Sequence, residues 1–254
     1  MIRDAASIRR SLSTQRWVLR FTRHWLKFVI IFFGLYAGLP FLAPVLMHVG
    51  ATGPAQAIYT VYSPMCHQFA FRSWFLFGEQ AAYPREQAGV ESLGTYEQYA
   101  STDPTFSLVP DLHEWTVDLM NLSRAFIGND EMGYKVALCE RDVAIYGAIF
   151  LGSLLFSIPY VRARLRPVPL WLYVFLGLGP VGLDGFSQLL SNPPLLLWPA
   201  RESTPLFRTV TGALFGLMNA WLALPHLEQA MRETLEQLQE KLHRGEALLE
   251  SMNE

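Results

Sequence analysis

Two cysteines stand beside other reactive side chains, and the chain contains no further cysteine. Cys66 and His67 fall in the stretch SPMCHQFAFRSW, and Cys139 begins the stretch CERD. Thiolate, imidazole and carboxylate groups together suit a four-coordinate zinc site, although the CxxC spacing typical of structural zinc is missing. The two thiols could equally form a disulfide, or stay free for redox or acyl chemistry. The residue types leave these three interpretations open.

Ser63 followed by Pro64 predicts an N-cap and the first turn of a helix that carries Cys66 and His67. A helix start would lower the pKa of a free Cys66 thiol. Adjacent helical residues diverge by about 100°, so Cys66 and His67 would not both face one metal ion.

Other polar side chains stand near the ends of apolar segments, where ionisable groups are costly and often functional. With the cysteines they form one candidate site, namely Cys66, His67, Gln68, Arg72, Cys139, Arg141, Asp142, Asp184, Gln188 and Arg208. The candidate ligands of zinc or another transition metal are Cys66, His67, Cys139, Asp142 and Asp184. The disulfide alternative joins Cys66 to Cys139.

The charged members also have simple structural interpretations. Arg141 could pair with its neighbour Asp142 at the surface. Arg208 could pair with Asp184 across two spans. The two arginines suit a phosphate or carboxylate headgroup equally well, because a guanidinium binds such a group through two parallel hydrogen bonds.

The composition indicates a membrane protein. Of the 254 residues, 51% are hydrophobic and only 17% are charged, and the mean hydropathy is +0.20. A soluble domain carries about a quarter charged residues. Two cysteines are too few for a disulfide-built scaffold. No nucleotide-binding loop, GxSxG elbow or HExxH helix is present, and no nucleic-acid partner is expected.

Four apolar windows have, or come close to, the length of about 17 to 25 residues that spans a bilayer. They predict an all-α membrane protein with transmembrane helices at Trp25–Met47, Val143–Val161, Val168–Leu183 and Leu206–Leu227. The small residues of GAIFLG and GALFG allow close contact between helices.

Lysine and arginine are enriched in cytoplasmic loops, which orients these spans. The first 27 residues carry seven cations against one acid, Asp4; the cations are Arg3, Arg9, Arg10, Arg16, Arg20, Arg23 and Lys27. The connection RARLRP, residues 162–167, carries three more arginines. We therefore expect a multi-pass protein of the prokaryotic inner membrane with both termini cytoplasmic, which places the candidate site outside. A signal peptide cleaved after the AQA at 55–57 is the alternative for the N-terminal region.

The predicted organisation follows from these spans. The segments are a basic amphipathic N-terminus (1–24), span one (25–47), an extracytoplasmic helix with the CHQ motif (58–78), an extracytoplasmic helical insertion (79–138), CERD with span two (139–161), span three with its DG motif (168–190), span four (206–227) and a cytoplasmic amphipathic helix (228–254). The N-terminal pattern, with Ile8, Leu12, Val18 and Phe21 among arginines, is typical of a helix on an anionic leaflet.

Four ordered motifs resemble the DUF2085 group of uncharacterised prokaryotic membrane proteins. They are CHQ with Arg72 and Ser73, CxRDxxIYxG from Cys139, DGxxQ from Asp184, and RxxTGxLxG from Arg208. The resemblance covers residues 58–78 and 137–225. It implies the membrane location and the candidate site, but the group has no known activity that could be carried over. The chain departs from the group in the long polar stretch between the cysteine motifs, and in Val143-Ala144 where Thr-Gly is expected.

Two classes of function remain open from the sequence. One is a metal-binding or thiol/redox site that acts at the outer membrane surface. The other is a non-catalytic scaffold or accessory subunit whose cluster is a disulfide with ion pairs. The expected partners are the lipid bilayer, with a lipid headgroup or another membrane protein as candidates.

Overall fold

A computed structural model describes residues 2–107 and 109–251. Within them, the side chains of residues 2–9, 248, 249 and 251 are outside the description, so the predicted roles of Arg3, Asp4, Ile8 and Arg9 lie outside the described residues. The helices are α1 (Ile2–His48), α2 (Thr52–Tyr62), α3 (Tyr96–Thr102), α4 (Val117–Ala125), α5 (Glu140–Ser157), α6 (Pro159–Arg164), α7 (Leu170–Leu172), α8 (Gly179–Ser191) and α9 (Pro205–Ser251). The strands are β1 (Ser73–Leu76), β2 (Gly128–Asn129) and β3 (Gly133–Cys139).

Three helices in the described part of the chain are long and apolar enough to cross a membrane. They are Arg10–His48, Leu170–Ser191 and Pro205–Ala247. The second of these is α7 and α8 joined by a π-helical turn at Tyr173–Leu178. They contain the predicted first and fourth windows and, from Leu170 onward, the third.

The predicted second span at Val143–Val161 is not among these three helices. Its helix, α5, ends at Ser157, because Ile158 is extended ahead of Pro159. A residue before proline is pushed out of the helical region by steric contact. The helix also begins with three charged residues, Glu140, Arg141 and Asp142, so its 18 residues carry more charge than the windows of the other three helices.

Small residues hold α5 and α9 close together, as the sequence predicted. A Cβ added to Gly216 would lie 2.2 Å from the backbone oxygen of Ile145, and one on Gly212 would lie 2.7 Å from that of Arg141. Gly152 faces Ala220 in the same way, at 2.7 Å. The backbones therefore approach to a distance that only glycine permits at these positions.

One buried carboxylate joins three helices at the end of the bundle that contains Arg162. Glu228 of α9 accepts hydrogen bonds from the indole of Trp25 at 3.2 Å and from Arg162 of α6 at 2.5 Å. These contacts bring the N-terminal part of α1 and the RARLRP connection to the same end. We call this end the Glu228 end.

The two long helices continue past the Glu228 end as a pair. Gly245 of α9 packs against Leu12 of α1, and Arg16 pairs with Glu246 at 2.7 Å. The basic N-terminal segment continues α1 without a break, and its described residues Leu12 and Arg16 contact α9, so it is not a separate helix. The C-terminal amphipathic stripe packs partly on this neighbour, and Leu242 is buried.

A mixed α/β unit lies at the opposite end, and we call residues 69–139 the sheet subdomain. Its antiparallel sheet has the order β1-β3-β2, with Ser73 opposite Cys139 and Phe75 opposite Lys135. Its core is aromatic and comprises Phe69, Phe71, Phe75, Tyr83, Tyr96, Phe106, Leu119, Phe126 and Met132, among others. The all-α prediction and the helical insertion at 79–138 therefore miss a sheet that begins before residue 79.

The predicted helix at 58–78 is wrong over most of its length. Helix α2 ends at Tyr62, and Ser63 closes it instead of starting a new helix. A turn, an extended segment with Gln68 at φ +54°, and a short 3-10 turn at Ala70–Arg72 lead into β1. A residue with positive φ cannot continue a right-handed helix, and Cys66 and His67 lie in irregular chain between the end of α2 and this residue. The AQA sequence lies inside α2, where Ala55 is buried.

Candidate functional site

Cys66 and Cys139 form a disulfide, with their Cα atoms 6.5 Å apart. Cys66 lies in the extended segment after α2, while Cys139 ends β3 and is the N-cap of α5. The bond therefore joins the segment before the sheet subdomain to the helix after it. Of the three interpretations drawn from the cysteines, the disulfide is the one that the structure contains, and no free thiol remains.

Two backbone amides point at the sulfur of Cys66. The N–H of Cys139 donates to Cys66 Sγ at 3.2 Å, and the N–H of Gln68 donates at 3.4 Å. Cys66 is buried and Cys139 is partly exposed. Amide donors stabilise a thiolate more than a neutral sulfur, so the electrostatic environment favours charge on Cys66.

Gln68 holds this loop in place and does not line the cavity described below. Its side-chain amide donates to the carbonyl oxygens of Tyr59 and Ala137, each at 2.9 Å. Its own carbonyl accepts from Lys135 Nζ at 2.7 Å. A left-handed backbone at a residue other than glycine persists when its surroundings fix it, as these three bonds do. Gln68 is therefore a positioning residue.

Lys135 is a buried amine that the sequence analysis did not identify. Its Nζ donates to the backbone carbonyls of Gln68 and Arg124, each at 2.7 Å, and to that of Ser123 at 3.4 Å. Burial, with a smaller contribution from the positive charge of Arg124, lowers the pKa of Lys135 to about 7. The sequence feature that could have identified it is a lysine inside the otherwise apolar strand sequence GYKVALC.

A cavity of about 240 Å³ opens beside the disulfide. We call it the disulfide cavity, and its lining residues are Met65, Cys66, His67, Phe69, Arg72, Cys139, Arg141, Asp142, Gln188 and Arg208. The structure thus brings eight of the ten predicted site residues to one cavity, from four separate stretches of the chain. Gln68 and Asp184 lie outside its lining.

Asp184 lies fully buried in α8 and is surrounded by donors. Oδ2 accepts from Gln188 Nε2 at 3.1 Å and contacts Arg141 Nη2. Oδ1 accepts from both Nη groups of Arg201 at 3.2 Å and contacts the hydroxyl of Ser203. Both oxygens are therefore occupied, and the two arginines compensate the buried negative charge.

The two predicted ion pairs are wrong in their partners. Arg141 pairs with Asp184 instead of its neighbour Asp142. Arg208 contacts Glu202 and donates to Gln188 Oε1 at 3.1 Å, so it reaches Asp184 only through Gln188.

Glu202 also accepts from Arg72, which makes it a second buried carboxylate shared by two arginines. Glu202, Arg201 and Ser203 were not predicted as site residues. The sequence feature that could have identified them is the polar stretch RES, which follows an apolar loop.

Glu140 was also missed, although it stands inside the CERD motif. It is 1% exposed, and neither carboxylate oxygen has a hydrogen-bond partner among the described residues. Arg208 Nη1 lies 3.8 Å away, beyond hydrogen-bonding distance. Buried carboxylates are nearly always hydrogen-bonded in proteins, so Glu140 is compensated only by the charges of nearby arginines, first of all Arg208.

The structure brings together three of the five predicted metal ligands. The ligand atoms of Cys66, Cys139 and Asp142 lie within 4.8 Å of one another. His67 is exposed and stacks on Phe69, with ring centres 5.3 Å apart, and Asp184 is held by its donors. Neither joins the group. Both sulfurs are used in the disulfide, so thiolate ligands exist only in the reduced protein.

Fold and site together describe a mostly helical membrane protein with a disulfide beside a polar cavity. Residues 122–222 match the family described as predicted membrane protein (DUF2085), which confirms the resemblance drawn from the motifs. This stretch holds the motifs from Cys139, Asp184 and Arg208, while the CHQ motif precedes it.

Over 210 residues the chain is 23% identical to "Uncharacterized protein MJ1492" of Methanocaldococcus jannaschii. The match covers 80% of this chain and 92% of that protein. No solved structure matches the chain.

Proposed function

We propose that the chain is a four-span protein of the prokaryotic inner membrane that carries a redox-active disulfide on its extracytoplasmic face. Both termini are cytoplasmic in this proposal. The observation that carries it is the position of the Cys66–Cys139 disulfide on the wall of a polar cavity, with two backbone amides donating to Cys66 Sγ.

Helix α5, the helix of the predicted second span, completes the four spans in this proposal. It packs along α9 through Gly212 and Gly216, and its apolar residues Leu151, Leu154 and Leu155 are exposed on the outside of the bundle, where lipid would cover them. Its 18 residues extend about 27 Å, close to the hydrocarbon thickness of a bilayer.

The orientation rests on two features at opposite ends of the bundle. Arg162, Arg164 and Arg166 lie in or next to α6, which contacts the Glu228 end, and arginine enrichment marks a cytoplasmic connection. Disulfides persist in oxidising compartments, so the Cys66–Cys139 bond favours the exterior for the other end.

The proposed chemistry is thiol–disulfide exchange with a dithiol or disulfide partner at the outer membrane surface. A thiolate of the partner attacks Sγ of Cys139, the more exposed of the two cysteines, and forms a mixed disulfide. The Cys66–Cys139 bond breaks, and its electron pair leaves on Cys66. The amides of Gln68 and Cys139 stabilise this thiolate.

The second half of the exchange releases the partner. Its other thiolate attacks its own sulfur in the mixed disulfide, which forms the partner disulfide and leaves Cys139 as a thiolate. Cys139 lies at the N-terminus of α5, where the helix dipole favours negative charge. Two electrons have then moved from the partner dithiol to the protein, and the reverse sequence moves them back.

Metal binding by the reduced protein is a second candidate function. It is favoured by the 4.8 Å grouping of Cys66, Cys139 and Asp142, because reduction would supply two thiolates beside a carboxylate. Three protein ligands with an open fourth position suit zinc. Metal analysis of reduced protein, with Asp142→Asn as the ligand variant and Asp111→Asn as an exposed control, tests this candidate.

Trapping of the mixed disulfide tests the redox proposal. Protein in vesicles is exposed to glutathione from outside, quenched with acid and mapped by mass spectrometry. We expect glutathione on Cys139 and a free thiol at Cys66. A disulfide that stays closed, or forms adducts only after detergent unfolding, would identify a structural staple and leave the scaffold interpretation.

A further inference from the structure

Cationic side chains dominate the lining of the disulfide cavity. Arg72, Arg141 and Arg208 line it, against a single carboxylate, that of Asp142. The carboxylates that face these arginines, Glu202, Asp184 and Glu140, are buried and do not belong to the lining. The cavity surface is therefore richer in positive groups than the ion-pair network as a whole.

Two of these arginines use only a small part of their hydrogen-bonding capacity. Arg72 and Arg141 each donate from Nη2 alone among the described residues, to Glu202 and Asp184 respectively. Their Nε atoms are buried without an acceptor. A guanidinium has five N–H donors, and buried donors are nearly always paired in proteins, so both side chains lack acceptors.

We infer that the disulfide cavity binds a phosphate group, which Arg72 and Arg141 hold through Nη1, the guanidinium nitrogen that has no acceptor among the described residues and is not fully buried. A phosphate offers three or four acceptor oxygens to two guanidinium groups, whereas a carboxylate offers only two. Arginine binds phosphate bidentately, and its charge strengthens each hydrogen bond. Arg208 adds a third positive charge to the same wall.

The phosphate has two possible sources, a free phosphate compound or the headgroup of a membrane lipid. The cavity lies where α5 begins and beside α8 and α9, two helices that are candidate spans, so both sources fit its location. Phosphate binding goes beyond the proposed redox role and does not require the disulfide to react. It is measured in oxidised protein without a reductant, so failure of either proposal leaves the other standing.

The test compares matched arginine variants in neutral detergent and in nanodiscs. Arg72→Gln and Arg141→Gln each remove one cavity guanidinium, and Arg72 provides the decisive variant if Arg141→Gln does not fold. Arg201→Gln is the control, because Arg201 also pairs with Asp184 but does not line this cavity. Thermal unfolding is followed against inorganic phosphate, with sodium chloride at the same ionic strength as reference.

We expect saturable stabilisation by phosphate in the wild type and in Arg201→Gln, with binding at least about tenfold weaker in the cavity variants. If inorganic phosphate has no effect but phosphatidic acid in phosphatidylcholine nanodiscs stabilises the protein, the source is a lipid headgroup. That effect must also be lost in Arg72→Gln. Absence of both effects, or an equal effect in Arg72→Gln, overturns the inference.

Discussion

Cys66 Sγ accepts a hydrogen bond from the backbone N–H of Cys139, the residue to which it is covalently bonded, at 3.2 Å. The amide belongs to the N-cap of α5, so the start of this helix lies directly at the disulfide. A negative charge that forms on Cys66 during exchange would meet a donor already in position. In the proposed exchange, this asymmetry makes Cys66 the leaving sulfur and Cys139 the sulfur that is attacked.

Because α5 and α9 pack closely, alanine substitution at two glycines should have very different effects on the free energy of unfolding. Gly216→Ala would place a Cβ 2.2 Å from the backbone oxygen of Ile145, so the helices would have to separate. Overpacking of this kind destabilises by about 1–3 kcal/mol. Gly147→Ala on α5 has no atom within 4 Å and is the matched control. The free energy of unfolding should fall only for Gly216→Ala, and equal values for the two variants would contradict the close packing.

The lowered pKa of Lys135 should make the free energy of unfolding rise with pH. Its pKa is about 7 in the folded protein, lowered by burial from the ordinary lysine value of 10.5 that holds in the unfolded chain. Between these values the unfolded state binds more protons than the folded state, so the free energy of unfolding rises with pH. From pH 7 to 9 we expect a gain of about 2 kcal/mol in the wild type.

Thermal unfolding of the wild type and of Lys135→Met, measured between pH 7 and 9, tests this gain. It should be missing in Lys135→Met, while Lys241→Met at an exposed position should retain it. The same pH dependence in Lys135→Met and in the wild type would show that another group is responsible.

The loop between α8 and α9 contains apolar residues 195–198, and we expect it to lie at the membrane interface. The indole of Trp198 donates to the carbonyl of Ser187 at 3.2 Å, and the N–H of Leu197 donates to Leu190 at 3.0 Å. The loop therefore folds back along α8 instead of extending away from it. Leu195, Leu196 and Leu197 are exposed, and lipid contact would cover them.

A spin label measures the depth of this loop. Both native cysteines are bonded to each other, so a cysteine introduced at Leu196 is the free thiol that reacts. We expect a label at this position to be more accessible to oxygen than to a polar nickel reagent in vesicles. A label at Glu91 in the sheet subdomain should show the reverse. Equal nickel accessibility at both positions would place the loop in water.

Sequence reasoning predicted the parts of the fold that depend on hydropathy. The long apolar windows in α1 and α9 and the close glycine contact were recognisable, because lipid and helix packing act on local composition. The sheet was missed because β1 has four residues and β3 pairs with it across about 60 intervening residues. No local pattern specifies such a distant pairing.

The composition of the site was easier to predict than its pairing. Membrane topology alone placed Cys66, Cys139 and Arg208 at one end of the bundle. The partners of the arginines depend on side-chain reach, and Glu202 lies in a loop whose path no helical period indicates. Gln68 was grouped with the reactive residues because of its neighbours, although its left-handed backbone gives it a positioning role.

The reduction potential of the Cys66–Cys139 pair tests the central claim most directly. Oxidised protein in nanodiscs is equilibrated with glutathione or dithiothreitol buffers, quenched with acid and alkylated, and both cysteines are quantified by mass spectrometry. A redox-active pair should show a midpoint above about −270 mV, the region of exchange-active proteins. A pair that stays oxidised to below about −300 mV, as structural disulfides do, would contradict the account.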